Sequence, residues 1–414
     1  MRNTSVLHVI TRLIVGGAQE NTALTAVGQH KAGLDVTVVA GIDDGPEGNL
    51  HERVRAAGVE LHLMKELVRP IAPIQDVVAL ARLASFIRRG KFDVVHTHSS
   101  KAGILGRLAA RMAGTPIVVH TLHSLVFGDH ATPLQNAIYL RAKRLCAPYT
   151  HKFISVADAT RKGALAAGIG TSDKHVTIYS GFEIRPFLQI RDQLSIAEAK
   201  RRIGLDPDVF VVGKIARLFL QKGHDHFFNA ARIIAEREPR AHFLLVGDGI
   251  LRHELEQRAQ DYGIAGRVTF TGLVPPEDVP ALMQAMDVVV HTSIREGLPR
   301  VIPQAAAVGK PVVAFALDGS PEVVHHGETG FLSAPLNHVQ VAEQVLDLLG
   351  NSTRRRVFGE NGRALVRDNF SAEVMVRRIN HVYFELATKG LGRVAATNSA
   401  DLTSDLQSKV ALDR

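Results

Sequence analysis

The chain has 414 residues, which is long for one domain and natural for two. Hydrophobic residues make up 46% of it and charged residues 22%, a balance typical of globular proteins. No apolar run approaches the roughly 18 residues of a membrane span. The N-terminal apolar stretch is short and interrupted by His8 and Arg12, so it predicts a strand rather than a signal peptide. The single cysteine, Cys146, excludes an internal disulfide and predicts a cytoplasmic location.

Basic residues exceed acidic residues by 49 to 41, which gives a net charge of +8. This excess suits an anionic ligand or an anionic membrane surface. Nucleic acid is not an expected partner, because tryptophan is absent and no basic segment is interleaved with aromatic residues.

Short runs rich in valine and isoleucine alternate with amphipathic segments along the whole chain. Continuous apolar strands between helices are typical of parallel sheets covered on both faces, so the pattern predicts a doubly wound α/β fold. In chain order the predicted strands include "VLHVI", "DVTVVA", "FDVVHTH", "PIVVHT", "KFISVA", "VFVVGKIA", "HFLLVGDG", "VTFTG", "DVVVHTS" and "PVVAF".

One unit of sequence occurs twice. Each copy reads Asp, strand, loop, helix, Gly, one residue, Pro, strand, and the Asp-to-Pro separations are 23 and 24 residues. The repeat predicts two similar α/β domains in tandem, with a ligand cleft between them where the carboxyl ends of their strands meet. The marker residues are Asp93, Gly114 and Pro116 in the first copy and Asp287, Gly309 and Pro311 in the second.

We place the domain boundary in the polar stretch that precedes the strand "VFVVGKIA". The prediction is an N-terminal acceptor-side domain over residues 1–190 and a C-terminal donor domain over 191–370. A C-terminal helix over 371–389 is expected to pack back towards the first domain, and residues 390–414 are expected to form a flexible tail.

Two glycine-containing turns follow predicted strands. Gly16 and Gly17 in "VGGAQE" would let the backbone approach a phosphate at a helix N-terminus, or would simply form a tight turn. Gly247 and Gly249 in "LLVGDG" would let the backbone pass close to a nucleotide, or again form only a turn. Neither turn has the G-x-G-x-x-G spacing of a nicotinamide site, since Arg252 stands where the third glycine of the second turn would be.

Arg217 and Lys222 in "KIARLFLQKG" lie just past a predicted strand. The planar guanidinium and the point charge of the ammonium together suit a diphosphate, and two fixed cations can stabilise a departing nucleoside diphosphate without a metal. The alternative is a solvated basic loop.

The segment "REGLPRVIPQ" carries the strongest signal. If a helix begins at or after Arg300, Pro303 falls in its first turn, and Glu296 stands just outside the helix N-terminus. The free N–H groups there suit a phosphate, and the carboxylate suits sugar hydroxyls. The alternative is that Glu296 only caps the helix.

Four histidines, His96, His98, His120 and His123, fall at the ends of first-half strands. Their spacing matches no strong zinc motif, so no metal site is predicted, and His123 is the best candidate to face the cleft. Further along, "ATPLQNAIYLRAKRLCAPYTHKF" predicts a basic amphipathic helix. Such a helix could contact an anionic membrane, or it could be a core-facing helix with a solvated basic face.

Taken in order, the motifs resemble those of the retaining glycosyltransferases of family 4, which have the GT-B fold. The resemblance covers roughly residues 5 to 385 and rests on "GGAQE", "HTHSSKAGILGRLAA", "VVHTLHS", "ISVADATRKGALAAGI", "VTIYSGFE", "GKIARLFLQKG", "LLVGDG", "TFTGLV", "REGLPRVIPQAAAVGKPVVA" and "ETGFL". It implies two Rossmann-like domains that face each other across a cleft, and transfer of a sugar from a nucleotide-sugar donor with retention of configuration and without a metal.

The resemblance also implies roles for individual residues. Glu296 would hold hydroxyls of the transferred sugar and stabilise charge at its anomeric carbon, and His123 would lie near the reaction centre and the acceptor. Arg217 and Lys222 would neutralise the donor diphosphate. The remaining implied donor-binding residues are Gly16, Gly17, Gly247, Leu273, Val274, Gly297, Leu298 and Gln304.

The sequence departs from the family pattern at two positions. Gln304 stands where a second glutamate is usual; its amide can still hydrogen-bond a ribose, but without the strength of a charged acceptor. Pro299 replaces a common glycine and offers no N–H. We interpret both as subfamily variation.

The resulting hypothesis is a cytoplasmic glycosyltransferase, peripheral on the inner membrane face if the basic helix contacts lipid. A UDP-sugar is expected as donor in preference to a GDP-sugar, with a glycan or lipid-linked acceptor in envelope polysaccharide synthesis. The alternatives are a nucleotide-sugar epimerase of the same fold and a non-catalytic nucleotide-sugar binder; a nicotinamide oxidoreductase is the weakest alternative.

Overall fold

The computed structural model describes residues 3–42, 48–125 and 133–391. They form two compact units. Of the described residues, the first unit contains 3–42, 48–125, 133–155, 164–178 and 376–391, and the second contains 156–163 and 179–375. The chain thus enters the second unit before the predicted boundary at 190. The tail predicted for 390–414 lies, from residue 392, outside the described residues.

In the described part of the first unit, seven parallel strands form one sheet in the order β3-β2-β1-β4-β5-β6-β7. Strand β1 is buried along its whole length, as expected of a central strand covered on both faces. The elements are β1 (Ser5–Ile10), α1 (Gly17–Lys31), β2 (Asp35–Ala40), α2 (His51–Ala56), β3 (Glu60–Leu63), α3 (Pro73–Gly90), β4 (Val94–His98), α4 (Ser100–Ala113), β5 (Ile117–Leu122), α5 (Pro133–Cys146), β6 (Lys152–Ser155) and β7 (His175–Thr177). Helix α6 (Asp158–Ala166) precedes β7, and its residues 158–163 belong to the second unit.

In the second unit, six parallel strands form a sheet in the order β10-β9-β8-β11-β12-β13. The elements are α7 (Arg185–Gln193), α8 (Ile196–Arg202), β8 (Phe210–Ile215), α9 (His224–Arg237), β9 (Ala241–Val246), α10 (Arg252–Asp261), β10 (Val268–Phe270), α11 (Val279–Ala285), β11 (Val288–His291), α12 (Val301–Val308), β12 (Val312–Phe315), β13 (Gly330–Ser333), α13 (His338–Gly350) and α14 (Ser352–Arg367). These two parallel α/β sheets confirm the predicted fold class.

Helix α15 (Ala372–Leu386) follows α14, and its C-terminal part belongs to the first unit. There Tyr383 hydrogen-bonds His96, and Asn380 hydrogen-bonds Gln29. Within the described residues, no helix combines the length and apolar character needed to cross a membrane.

The predicted sequence repeat is confirmed as a structural repeat. Gly114 ends α4 and Gly309 ends α12, both with left-handed φ values, of 73° and 82°. Such a residue closes a helix without the strain that a side chain would add. The strands β5 and β12 then begin after the prolines, as the sequence indicated.

The two repeat aspartates make matching contacts. The Asp93 carboxylate accepts a hydrogen bond from the backbone N–H of Ser5 at 2.8 Å, and the Asp287 carboxylate accepts one from Val211 at 2.8 Å. Each therefore fixes the start of the neighbouring strand, β1 or β8. The strand order of each sheet reverses between these neighbours, so β1/β4 and β8/β11 are the switch points where ligands of such sheets bind.

Candidate functional site

Two loops meet at the β8/β11 switch point of the second unit. One joins β8 to α9, and the other joins β11 to α12. The Thr292 hydroxyl donates to the carbonyl of Gly223 at 2.8 Å, and the Ile294 N–H donates to the carbonyl of Gln221 at 3.0 Å. Gly223 has φ 60°, and a Cβ there would collide with the Thr292 carbonyl, so only glycine permits this approach.

The joined loops bring together two residues predicted from sequence. The Lys222 ammonium donates to the Glu296 carboxylate and forms an ion pair with it, although the two residues are 74 positions apart. Their side chains are only 21% and 19% exposed. Burial is the largest single effect and raises the pKa of Glu296, but the charge of Lys222, the neighbouring His291 and hydrogen bonds from Lys222 and Ser293 together outweigh it and hold that pKa below the usual value. The carboxylate is therefore ionised at neutral pH.

This contact argues against the interpretation of Glu296 as a helix cap. Helix α12 begins at Val301 with Arg300 as its N-cap, which confirms the predicted start, and no side chain caps it. The Glu296 carboxylate is thus committed to Lys222 rather than to the helix N-terminus. Its backbone N–H donates to the Asp318 carboxylate at 2.6 Å, which fixes the turn that carries it.

A second lysine lies beneath the ion pair. The Lys214 side chain is buried inside β8, and its ammonium donates to the Thr292 hydroxyl at 2.8 Å. Burial, reinforced by the charge of Lys222, lowers the pKa of Lys214 to about 7. His291 is also buried, with its Nε2 3.9 Å from the Glu296 carboxylate, and burial lowers its pKa to about 3. Lys214 therefore changes charge near neutral pH, whereas His291 stays neutral.

Arg217 lies at the end of β8 with its side chain exposed and its guanidinium carbon 4.9 Å from the centre of the Phe219 ring. Its carbonyl accepts a hydrogen bond from His224 Nε2 at 2.9 Å. Gly247 has φ 131°, and a Cβ there would collide with the carbonyl of Ala216. Glycine at 247 is therefore required for this loop to pass beside Arg217.

The Gly247 N–H donates to the carbonyl of Gly272 at 3.1 Å, which places Leu273 and Val274 next to the same loop. Leu273 is 59% exposed, whereas Val274 packs against the core. An exposed leucine at this end of the sheet offers an apolar contact to a ligand. Arg217, Gly247 and Leu273 are thus brought together, as the resemblance implies.

Three further predicted donor-binding residues differ from these in what they can offer a ligand. The Leu298 side chain is buried in the core, so only its backbone can serve a ligand. The Gly297 carbonyl accepts a hydrogen bond from the Gly319 N–H at 3.0 Å. Gln304 lies half-buried in the first turn of α12, where no hydrogen bond of its side chain to Glu296 is found among the described residues.

In the first unit, Gly16 is the N-cap of α1, and Gly17 is the first residue of that helix. The Gly16 φ of 172° is extended backbone that any residue adopts, and a Cβ there would meet only the flexible end of Gln19. The backbone conformation of this turn therefore does not require glycine. Close approach of a ligand is one reason that would explain a glycine at this position.

The predicted histidines converge at the β1/β4 switch point. His98 Nδ1 lies 3.1 Å from His123 Nε2, and His98 Nε2 lies 2.9 Å from His8 Nδ1. Ligand atoms of His8, His96 and His98 fall within 4.8 Å of one another, close enough to consider a metal. Every one of these nitrogens of His96 and His98 already has a side-chain partner, however, so the set does not favour a metal.

Sequence reasoning missed His8 and Lys214 as site residues. Each is a titratable residue inside an otherwise apolar strand, His8 in "VLHVI" and Lys214 in "VFVVGKIA". This contrast with the surrounding residues was the available signal. It also missed Asp318, which has a left-handed φ of 50° and lies in a loop with no distinctive pattern.

Two family models match the chain. Glycosyl transferases group 1 matches residues 195–365, and a glycosyl transferase 4-like domain matches residues 16–181. The chain is 29% identical over 331 residues to the UDP-Gal:alpha-D-GlcNAc-diphosphoundecaprenol alpha-1,3-galactosyltransferase of Escherichia coli, an alignment that covers 79% of this chain and 84% of that protein. It is 24% identical over 398 residues to the capsular polysaccharide biosynthesis glycosyltransferase CapM of Staphylococcus aureus, with 92% and 97% covered.

Among solved structures, Anabaena HepE in complex with UDP superposes with a TM-score of 0.79 at 24% identity, covering 92% of this chain and all of that one. The two family models together account for most of both units. The chain belongs to the group 1 glycosyltransferases and has the GT-B fold.

Proposed function

We propose that this protein is a retaining, metal-independent glycosyltransferase of family 4 that moves a hexose from a UDP-sugar to a lipid-linked glycan. The observation that carries the proposal is the contact of Lys222 with an ionised Glu296 at the β8/β11 switch point. A cation suited to phosphate and a carboxylate suited to sugar hydroxyls are thereby held side by side.

The proposed chemistry follows from these charges. The acceptor oxygen bonds to the anomeric carbon while the bond from that carbon to the phosphate oxygen breaks, and the leaving phosphate oxygen takes the acceptor's proton on the same face. Arg217 and Lys222 neutralise the charge that develops on the leaving diphosphate, the task that a metal performs in other transferases. Glu296 holds sugar hydroxyls and stabilises positive charge at the anomeric carbon.

The remaining predicted residues complete the proposed donor site. Gly16 and Gly17 would approach the diphosphate, Leu273 and Val274 the base, and Gln304 the ribose. The preference for uridine is supported by the E. coli relative, whose donor is UDP-Gal, and by the HepE complexes with UDP and UDP-glucose.

Two relatives support the proposed acceptor class. One acts on a sugar carried by diphosphoundecaprenol, and the other acts in capsular polysaccharide biosynthesis. Helix α5 supports peripheral contact with a membrane on the cytoplasmic side, because its Leu134, Ile138 and Leu145 are 71%, 52% and 69% exposed and Arg141 and Arg144 are exposed beside them. Exposed apolar side chains next to basic ones favour an anionic lipid surface.

The decisive experiment is an assay of sugar transfer. Purified protein is incubated with UDP-galactose, UDP-glucose, UDP-N-acetylglucosamine or GDP-mannose and an undecaprenyl-diphosphate-linked sugar, with and without EDTA. Transfer from a UDP-sugar, unchanged by EDTA, with an α-linked product by NMR, supports the proposal. Conversion of the donor without an acceptor would indicate an epimerase, and UDP binding without turnover a non-catalytic binder.

Matched variants test the site itself. Glu296→Gln is expected to lower the transfer rate by about 10²- to 10³-fold while UDP still binds, because the nucleotide contacts remain. Glu236→Gln, an exposed change on α9, is the control and should behave as the wild type. Full activity of Glu296→Gln would contradict the role of Glu296.

Contact with lipid is tested separately with vesicles of anionic and of neutral phospholipid. The wild type should sediment with the anionic vesicles, and Leu134→Asp with Ile138→Asp should reduce that binding without changing transfer to a water-soluble acceptor. Equal binding to neutral vesicles would count against the basic residues of α5.

A further inference from the structure

A continuous line of hydrogen-bonded side chains runs from His123 into the first unit. His123 Nε2 meets His98 Nδ1 at 3.1 Å, His98 Nε2 meets His8 Nδ1 at 2.9 Å, and His8 Nε2 meets the Gln29 amide oxygen at 2.7 Å. The Gln29 amide nitrogen then donates to the Asn380 carbonyl oxygen at 2.9 Å. His8, His98 and Gln29 are all completely buried.

The histidine rings stand end to end. Ring centres are 5.2 Å apart for His8 and His98 and 5.4 Å apart for His98 and His123, with interplanar angles of 26° and 28°. At these separations the facing nitrogens, 2.9 and 3.1 Å apart, lie nearly on the line between the ring centres. Each contact is therefore a head-on hydrogen bond, in which one nitrogen carries a proton and the other offers a lone pair.

The direction of every bond follows from Gln29. Its amide nitrogen faces the Asn380 oxygen, and its side chain also hydrogen-bonds the Tyr383 hydroxyl, so its amide oxygen is left to face His8. An oxygen there accepts a proton from His8 Nε2, which makes His8 Nδ1 an acceptor. His98 must then donate through Nε2 and accept through Nδ1, because a neutral imidazole carries one N–H.

We propose that Gln29, His8 and His98 form a one-way hydrogen-bond relay that fixes His123 as the Nε2–H tautomer and so presents its Nδ1 as an acceptor for a substrate hydroxyl. The three are positioning residues, since they act through His123. The substrate part of this inference rests on the proposed function, whereas the tautomer does not.

The charge state of the relay is consistent with this direction. Burial lowers the pKa of His8 to about 4 and that of His123 to about 4, and it lowers the pKa of His98 well below its usual value. All three rings are therefore neutral at neutral pH, and each has one donor and one acceptor nitrogen. Which nitrogen of a neutral histidine carries the proton is set by the partner of the other nitrogen.

A metal at the same histidines is the competing explanation. It would require lone pairs of His8, His96 and His98 to point at a common centre, and their nearest nitrogens do lie within 4.8 Å. Yet His96 bonds Tyr383 at 2.5 Å and Thr121 at 2.7 Å, and both nitrogens of His8 and of His98 are used within the relay. A metal would have to break at least two of these bonds, so the observed geometry favours the relay.

The test reads the tautomer directly. Long-range ¹⁵N–¹H correlation spectra of histidine-labelled full-length protein distinguish Nδ1–H from Nε2–H, and a His123→Asn variant assigns the His123 signals. The expected wild-type result is Nε2–H for His8, His98 and His123. An Nδ1–H proton on His123 in the wild type would mean the reverse direction or no relay, and would overturn the proposal.

Variants at the far end of the relay supply the second readout. Gln29→Met removes the acceptor that sets the direction, and it should shift His123 towards Nδ1–H although three hydrogen bonds separate the residues. Gln29→Glu restores an acceptor and should restore Nε2–H. Thr25→Val, which removes a buried hydroxyl from the same helix outside the relay, is the control and should leave His123 unchanged.

Transfer kinetics give the functional consequence. Gln29→Met should reduce kcat by about 10- to 100-fold with little change in the KM for the donor, as expected when a group that orients a functional histidine is lost, and Gln29→Glu should recover it. An unchanged His123 tautomer in folded Gln29→Met, or stoichiometric zinc in the purified protein with loss of the His8 and His98 N–H signals, would refute the relay. Lack of transfer by the wild type itself would refute the proposed function while the spectra still decided the relay.

Discussion

The two units carry different side chains at equivalent positions of the same α/β fold. His8 lies three residues after Ser5, whose N–H is held by Asp93, and Lys214 lies three residues after Val211, whose N–H is held by Asp287. Five residues beyond each aspartate stand their partners: His98, 2.9 Å from His8, and Thr292, 2.8 Å from Lys214. The fold thus fixes where a buried polar pair sits, whereas the residue types decide what the pair can do.

The difference between the pairs is one of charge. In the first unit, burial keeps the histidines neutral, and their hydrogen bonds continue towards His123. In the second unit, Lys214 donates to Thr292 and lies within electrostatic range of the ion pair formed by Lys222 and Glu296. A neutral network can set direction and tautomer, while a charged cluster can hold an anion, so the two switch points suit different kinds of ligand.

Mild acid should distinguish the two units most strongly, because it should unfold the first unit before the second. Five histidines of the first unit, His8, His96, His98, His120 and His123, have pKa values strongly lowered by burial, against two in the second, His224 and His291, among the described residues. A histidine kept neutral in the fold, with an unfolded pKa near 6.5, loses about 1.5 kcal/mol between pH 6.5 and 5. The first unit should thus lose roughly 7.5 kcal/mol, and the second roughly 3 kcal/mol.

The measurement is hydrogen exchange by mass spectrometry at pH 6.5 and 5, which resolves peptides of each sheet. Because the unfolded chain binds more protons below pH 6.5, stability must fall as the pH is lowered. Loss of protection in β8 and β11 before β1 and β4 would contradict the assignment of neutral histidines to the first unit.

Lys222→Met removes the charge on which the second switch point depends. Transfer should fall by about 10²- to 10³-fold, the range for loss of one donor that stabilises a developing anion. The pKa of Glu296 should also rise, since burial remains and the opposing cation is gone. Initial rates with a UDP-sugar, and a pH profile of the residual activity, measure both effects.

Lys162→Met is the control for that change. Lys162 belongs to the same unit and also pairs with a carboxylate, that of Asp158, but its side chain is 74% exposed. Exposed pairs contribute little, so this variant should retain wild-type rates. A similar loss in both variants would mean that net charge, and not the position of Lys222, controls transfer.

Much of this arrangement could be predicted from sequence. The spacing of Asp, Gly and Pro predicted both repeats, because a strand, a helix and a helix-ending glycine have fixed lengths and local rules. The sequence also placed Arg217 and Lys222 just past one predicted strand and Glu296 after another. These inferences need only the order of the residues along the chain and the spacing of the repeated motif, both of which the sequence contains.

The contacts themselves could not be predicted. The pairing of Lys222 with Glu296 joins residues 74 positions apart through two loops, and it depends on the left-handed turn at Gly223. The role of His8 depends on strand register, which sets it opposite His96, and on which atoms of Gln29 face it. Register and side-chain rotamers are properties of the packed structure, so a lone histidine in an apolar strand does not reveal its partner.

The two repeat aspartates should differ in their contribution to stability. Asp287 also forms an ion pair with buried Lys200 at 2.9 Å, whereas the Asp93 carboxylate bonds the N–H and hydroxyl of Ser5. Asp287→Asn leaves Lys200 without its carboxylate, which should cost about 3–5 kcal/mol. Asp93→Asn keeps a neutral acceptor and should cost about 1 kcal/mol. Urea titrations read by pulse proteolysis, which reports each unit by its own fragments, compare the two; equal losses would refute the distinction.

Lys214→Met should give the smallest effect, a change in the pH dependence of the second unit. The pKa of Lys214 is lowered to about 7 in the fold, against about 10.4 when unfolded. Between these values the unfolded chain binds one more proton, so the free energy of unfolding rises with pH by up to about 1.4 kcal/mol per unit. The variant should lose that slope between pH 7 and 8.5, as should Lys310→Met, whose lysine pKa is also about 7.

His8, at the equivalent point of the first unit, is neutral in both states above pH 7 and contributes no slope there, so His8→Gln is the matched control. An unchanged slope in Lys214→Met would mean that Lys214 keeps its proton in the fold, and the two switch points would then differ in charge even more than the present structure indicates.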